Sequence, residues 1–277
     1  MRRLLHPGCW VDYVRRFASD VALADDPITL YKLRRPTSGR HTLRVRFRGH
    51  RMSIQVRGGT MDVELARLIL CEDSEYRVPA PITPRVIFDI GANIGMTALY
   101  LACVYPDAHI YCFEPLPDNL ELLRTNVANF AGRITVVPKG LGEAEAVLPY
   151  FPSNDPRNFG GGGFRDAGCD TDHAIDLPVT TVAEVCNELG IDRVDLFKID
   201  TEGAELGVLL GTPPRLIAQA SALIGELHGV GDLQFLQRLA PTHDLGVTKA
   251  HDRRCYPFVA IARRHTAAGA LCASAAA

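Results

Sequence analysis

The sequence predicts a doubly wound α/β fold: a mostly parallel sheet with helices on both faces. Three observations predict it. From residue 85 onward, short apolar runs alternate with segments of helical periodicity. The runs are apolar on both faces rather than in strict alternation, as expected for strands covered on both sides. The first run leads into a glycine-rich turn that opens a helix. The strands read RVIFDIG (85–91), HIYCFEP (109–115), RITVVPK (133–139), RVDLFKID (193–200) and ALIGELH (222–228). Helices fall near 94–105, 117–130, 181–190, 203–211 and 231–240. The last two runs, DLGVTKA and YPFVAIARR, have no helix between them. They read as a hairpin that completes seven strands and adds an antiparallel one. Residues 145–180 break the alternation with a strand-like AVLPYF and a glycine-rich NFGGGGF, and read as an insertion near the site.

Before residue 81 the pattern differs. In HTLRVRFRGHRMSIQVRGG (41–59), Leu43, Val45 and Phe47 alternate with arginines, and Met52, Ile54 and Val56 follow with the same period of two. A two-residue turn at Gly49-His50 pairs Phe47 with Met52, Val45 with Ile54 and Leu43 with Val56. Glycine in first place suits type II′. The hairpin then has one apolar and one basic face, and the apolar one needs a cover, either its own core or a second subunit. DVELARLIL (62–70) has the spacing of a short amphipathic helix. The expected organisation is an extension over 1–80, a main domain over 81–264, and a flexible Ala-rich tail over 265–277.

The net charge of −2 gives no global argument for nucleic acid, but it is uneven. Residues 1–60 hold 13 Lys and Arg against 4 Asp and Glu. That stretch is either a solvated face or a contact for an anionic partner. None of the eight cysteines forms a C-x-x-C pair, and several sit in apolar runs. They read as reduced thiols of a cytoplasmic protein. No run approaches the ~18 apolar residues of a membrane span, and the basic start lacks the apolar core of a signal peptide.

Four motifs carry chemistry. FDIGANIG (88–95) ends a strand, turns at Gly91 and opens a helix, whose N-terminus favours an anionic ligand group. Glu114 ends the next strand 23 residues after Gly91, where an acid accepts both hydroxyls of a ribose. The glycines of a dinucleotide fingerprint are missing: Asn93 and Met96 stand at two of the three positions. A P-loop is missing too. The remaining turn suits a nucleoside with an amino-acid end, S-adenosylmethionine, over a pyrophosphate; its other reading is strand-on-helix packing. KIDTEGAE (198–205) puts three acids and a lysine at a strand's C-terminal end, where doubly wound sheets bind ligands. Helix N-terminal preference accounts for Glu205, less well for Asp200. GELHG (225–229) places Glu226 and His228 two apart, on one face.

In this order and at these spacings, DIGANIG, FEP, KIDTEGAEL and ELH resemble the FkbM family of methyltransferases, over roughly residues 60–262, with the Tyr76 region and the Asn158–Gly163 loop included. The resemblance implies a class I (Rossmann-like) methyltransferase fold, S-adenosylmethionine as donor, and methyl transfer to a hydroxyl of a small molecule or sugar. It implies that Asp89, Gly91, Ala92, Asn93 and Gly95 line the methionine end. Glu114 would hold the ribose, and Lys139–Leu141 would border the adenine. Asp200, Glu202 and His228 would face the reacting centre.

On this reading His228 is the general base, with Glu226 or Asp200 orienting its ring, and Asn158 and Glu202 contact the acceptor. A competing mechanism has Asp200, Glu226 and His228 hold Mg²⁺, which lowers the acceptor's pKa; the first mechanism needs no metal. Two other functions compete. One is a nucleic-acid methyltransferase gripping phosphates with the Arg-rich hairpin, against which stands the lack of aromatic side chains on the arginine face. The other is an inactive cofactor-binding scaffold. The glycine loop reads as a mobile lid or as a plain surface linker. A homodimer stays open.

Overall fold

The computed structural model describes residues 21, 23–33, 37–71, 74–155, 157–158, 160–164, 172–229, 231–248 and 255–265. The Ala-rich tail past His265, Cys9, Cys169, Cys272 and the basic start lie outside the described residues.

The main sheet has seven strands: β3 (Val86–Ile90), β4 (His109–Phe113), β5 (Ile134–Val137), β9 (Leu196–Ile199), β10 (Ala222–Leu227), β11 (His243–Val247) and β12 (Tyr256–Ala262). Their order is β11-β12-β10-β9-β3-β4-β5. Neighbours pair in parallel, except that β12 is antiparallel to both β10 and β11. This is the class I methyltransferase arrangement, and the two final runs form the expected hairpin. The chain moves outward from β3 in one direction and from β9 in the other. The C-terminal ends of β3 and β9 therefore flank the crevice in which such sheets bind ligands.

Central strands are apolar on both faces because both faces are covered. All of β9 and β10 is buried. One face packs on α3 (Met96–Val104) and α4 (Pro117–Val127), the other on α5 (Val182–Leu189), α6 (Glu205–Leu210), α7 (Pro214–Gln219) and α8 (Asp232–Leu239). On the second face Phe88 meets Phe113 and Phe197 with ring centroids 5.0 and 5.7 Å apart. Local signals set helix ends: Thr181 caps α5 by accepting from the Glu184 N–H at 3.0 Å, and Gly190 ends it in the left-handed conformation.

The N-terminal part is α1 (Pro27–Leu33), β1 (Arg40–Phe47), β2 (His50–Arg57) and α2 (Asp62–Ile69). The hairpin forms, but in another register. Its turn residues are Arg48 (φ +47°) and Gly49 (φ +81°), both left-handed, so the turn is of type I′ with glycine second. Val45 faces Met52, Leu43 faces Ile54, and Phe47 faces His50. Each partner moves by two residues, which preserves the face. All six apolar side chains are buried, in one cluster with Tyr100 and Leu123 of the main domain. The rings of Phe47 and Tyr100 stack 5.6 Å apart. The cover is thus the chain's own core. On the basic face, Arg40 grips the Glu121 carboxylate through both terminal nitrogens, and Arg46 pairs with Asp25 at 2.9 Å.

The insertion builds a small sheet of β6 (Gly140–Leu141), β8 (Ile175–Thr180) and β7 (Ala146–Tyr150), in that order. Of these only β7 was expected. A two-residue strand has no readable period, and Pro178 argues against β8. No described helix is long and apolar enough to cross a membrane.

Candidate active site

A cavity of about 660 Å³ opens at the C-terminal ends of β3, β4, β9 and β10, within the range of small-molecule sites. Gly91 to Ile94, Asp200, Glu202, Glu226 and His228 all line it. β6 adds Gly140 and Leu141, the insertion adds Tyr150 and Asn158, and α2 adds Leu65 and Leu68.

The β3–α3 turn is made by close approach. The N–H groups of Gly91 and Ala92 both donate to Phe113 O at 3.0 Å. Gly91 has φ +77°, and a Cβ there would lie 1.9 Å from Asp200 O. Only glycine lets the two strand ends meet. Asn93 follows at φ +48°, with its side-chain oxygen buried and without a hydrogen-bond partner among the described residues. Glu114 is buried beside it. Its Oε2 accepts from Asn93 N at 2.9 Å, and its Oε1 from Leu116 N at 3.0 Å and Asn119 Nδ2 at 3.3 Å. Burial raises its pKa against these hydrogen bonds. A Cβ-excluding turn, an orphaned amide oxygen and a carboxylate in one cavity make a cradle for a polar ligand.

Several expected residues line this cavity: Gly91, Ala92, Asn93, Glu114, Leu141, Asn158, Asp200, Glu202, Glu226 and His228. Three do not. Asp89 is fully buried under the floor, 3.4 Å from Lys198 Nζ. Gly95 faces Leu123 and Val127 of α4, where a Cβ would come within 2.8 Å of Leu123 Cδ1; it serves helix packing. Lys139 turns to Glu188 at 3.6 Å.

Lys198 is a residue that sequence reasoning quoted but gave no role. It is 2% exposed. Its ammonium donates to Gly91 O at 2.7 Å and Ile90 O at 3.2 Å, and lies 3.9 Å from Asp200. Burial disfavours its charge, but Asp89 and Asp200 outweigh that and raise its pKa. One buried cation thus ties the turn after β3 to the acid after β9. Tyr76 adds to this, its hydroxyl donating to Asp200 Oδ2 at 2.7 Å.

Around His228 the acids converge. Nε2 lies 3.4 Å from Glu202, 3.7 Å from Glu226 and 3.9 Å from Asp200. Nδ1 lies 3.0 Å from Glu205 Oε1. The acids expected to orient the ring, Glu226 and Asp200, lie on its Nε2 side, and Glu205, which a helix N-terminus accounts for, holds Nδ1. Burial alone would lower the imidazole's pKa. The Glu205 hydrogen bond and the charges of Glu202 and Asp200 overcome it and raise it to about 9. Burial and the charge of Asp200 push Glu202 up to about 8, against the pull of His228.

The expected metal trio is also rearranged. Asp200, Glu202 and His228 offer atoms within 4.8 Å of one another, whereas Glu226 groups with His228 and Cys255. The glycine loop is tightly packed. Phe151 and Gly163 exchange backbone hydrogen bonds at 2.8 and 3.1 Å. A Cβ on Gly162 would strike the Tyr150 hydroxyl at 2.3 Å, and one on Gly163 would strike Glu202 O at 2.7 Å. These glycines serve close approach to the site.

The sequence profile described as "Methyltransferase FkbM domain" matches residues 89–246, more than half of the chain. The chain belongs to the FkbM methyltransferase family. It is 28% identical over 198 residues to 31-O-demethyl-FK506 methyltransferase FkbM of Streptomyces tacrolimicus, covering 60% of this chain and 75% of that protein. It is 27% identical over 138 residues to 2-O-methyltransferase NoeI of Sinorhizobium fredii, covering 46% and 56%. AMB antimetabolite synthetase AmbE of Pseudomonas aeruginosa is 29% identical over 183 residues. That match spans 53% of this chain and only 8% of the synthetase.

Proposed function

We propose that this FkbM-family chain is a cytoplasmic S-adenosylmethionine-dependent O-methyltransferase, acting on a hydroxyl of a small molecule or sugar. The observation that carries the reading is one cavity lined by both the Gly91–Glu114 cradle and His228. The names of the FkbM and NoeI relatives support O-methyl transfer. The free thiols of Cys103, Cys112 and Cys186 suit a reducing compartment.

The cradle fits S-adenosylmethionine: Glu114 for the ribose hydroxyls, and the Gly91–Asn93 backbone and Asn93 Oδ1 for the amino-acid end. When bound, the cofactor supplies a methyl group already activated on a sulfonium. The chain's residues then have two tasks. Asp200, Glu202 and Asn158 hold the acceptor hydroxyl in line, the orientation part of catalysis. In its neutral form, His228 Nε2 would take the acceptor's hydroxyl proton during methyl transfer, a contribution of ~10²–10⁴-fold. The products are a methyl ether, a neutral thioether and one proton.

Calorimetric titration with S-adenosylhomocysteine, on wild type and Glu114→Ala, tests the cofactor. Micromolar binding that weakens at least tenfold in the variant is expected; no heat with either protein refutes the cradle. A second reading is metal assistance, favoured by the Asp200, Glu202 and His228 grouping. These three fit Mg²⁺ or Mn²⁺ only with waters completing the shell. Full turnover after EDTA removes that reading. The nucleic-acid alternative loses ground because Arg40 and Arg46 are paired with acids of this chain.

A further inference from the structure

We propose that Glu205 is the positioning residue of the site: one of its oxygens sets both the tautomer of His228 and the bend that presents Glu202. The proposal rests on the reading of His228 as the base. Glu205 lies outside the cavity lining and is 1% exposed, in the first turn of α6. It therefore acts through other residues.

Its Oε1 receives four donors. Thr201 N and Thr201 Oγ1 reach it at 3.1 Å, Gly203 N at 3.0 Å and His228 Nδ1 at 3.0 Å. The first consequence concerns the ring. An ionised carboxylate only accepts hydrogen bonds, so Nδ1 must carry a proton. When the imidazole is neutral, the lone pair is then on Nε2, the nitrogen that faces Glu202, Glu226 and Asp200. Once pH passes the raised pKa of about 9, the neutral ring presents its lone pair at Nε2 without reorienting.

The second consequence concerns the chain before α6. The residues on either side of Glu202 are both tied to the same oxygen, while Glu202 itself has φ +54°. That left-handed conformation is costly for a residue with a side chain and persists only where its surroundings hold it. Glu205 supplies the hold and leaves the Glu202 carboxylate 3.4 Å from Nε2. The His228 hydrogen bond and charge keep Glu205 ionised against its burial, below the usual range. From α8, Asp232 also faces this group: burial and the charge of Glu205 raise its carboxyl. The Oε2 of Glu205 and the Oδ1 of Asp232 are both buried without a hydrogen-bond partner among the described residues.

The test is ¹⁵N NMR of the full chain with labelled histidine, titrated between pH 6 and 11, with His228→Ala to assign the signal. In wild type the neutral imidazole carries its proton on Nδ1. In Glu205→Gln, which keeps an acceptor oxygen for the turn but not the charge, the midpoint falls by at least one pH unit and the tautomer becomes mixed. Glu205→Asp restores most of both. A neutral His228 with its proton on Nε2, or an unchanged midpoint in Glu205→Gln, overturns the proposal. If that variant does not fold, the wild-type tautomer decides alone. Methyl transfer by His228→Ala would defeat the base reading and leave the tautomer result standing.

Discussion

The charge cluster makes stability itself depend on pH. The perturbation is His228→Gln, which removes the titrating ring from among Glu202, Glu205, Glu226 and Asp200. In the folded protein His228 is raised to about 9 from an ordinary 6.5. A group whose folded pKa is raised adds stability that is complete below its unfolded pKa and disappears as pH rises through the folded one. The window is thus pH 6.5 to 9. The shift of roughly 2.5 units, at ~1.36 kcal/mol each, gives about 3 kcal/mol. The ring is 13% exposed, so solvent screening takes little of this. Urea unfolding of both proteins, followed by circular dichroism at pH 6 and pH 10, measures it. Wild type should lead the variant by about 3 kcal/mol more at pH 6 than at pH 10. A lead that is the same at both ends, within ~0.5 kcal/mol, would refute the claim that the imidazolium is held by these acids.

Three further outcomes follow from the same geometry. Lys198→Met leaves Asp89 charged and buried without its cation, and should cost about 3–5 kcal/mol in urea unfolding. Gly91→Ala must separate the β3 turn from the Asp200 carbonyl, so titration with S-adenosylhomocysteine should show affinity down by at least about tenfold, some 1.4 kcal/mol. Tyr76→Phe removes a hydrogen bond to a carboxylate and should lower stability by about 1.5–3 kcal/mol, with the fold intact by circular dichroism.

The sheet was legible because its strands are buried on both faces, which leaves an unbroken apolar run between turn signals. The hairpin's inward face was legible for the opposite reason, strict alternation. Its register was not: an arginine at positive φ gives no sign in sequence, and a glycine fits either turn position. In the site, motif positions could be read but side-chain directions could not. Asp89 and Gly95 belong to the glycine-turn motif, yet one points beneath the floor and the other at α4. Glu205 was hidden by an adequate simpler explanation, since an acid in a first helical turn needs no further reason. Only the 3.0 Å approach of His228, from a strand 23 residues further on, reveals its second role.

The family profile begins at residue 89, inside β3, but the apolar cluster beneath it begins earlier. Leu43, Val45, Phe47, Met52, Ile54 and Val56 share one apolar cluster with Leu99, Tyr100 and Leu123. A chain cut at the start of the family match would strip the outer cover from α3 and α4. Those helices carry the segment after Gly91 and the Asn119 contact to Glu114, so the loss would reach the ligand cradle as well as solubility. What is shared with relatives by sequence and what folds as one body have different boundaries here. Grafting this site onto a shorter scaffold would require transplanting the hairpin with it.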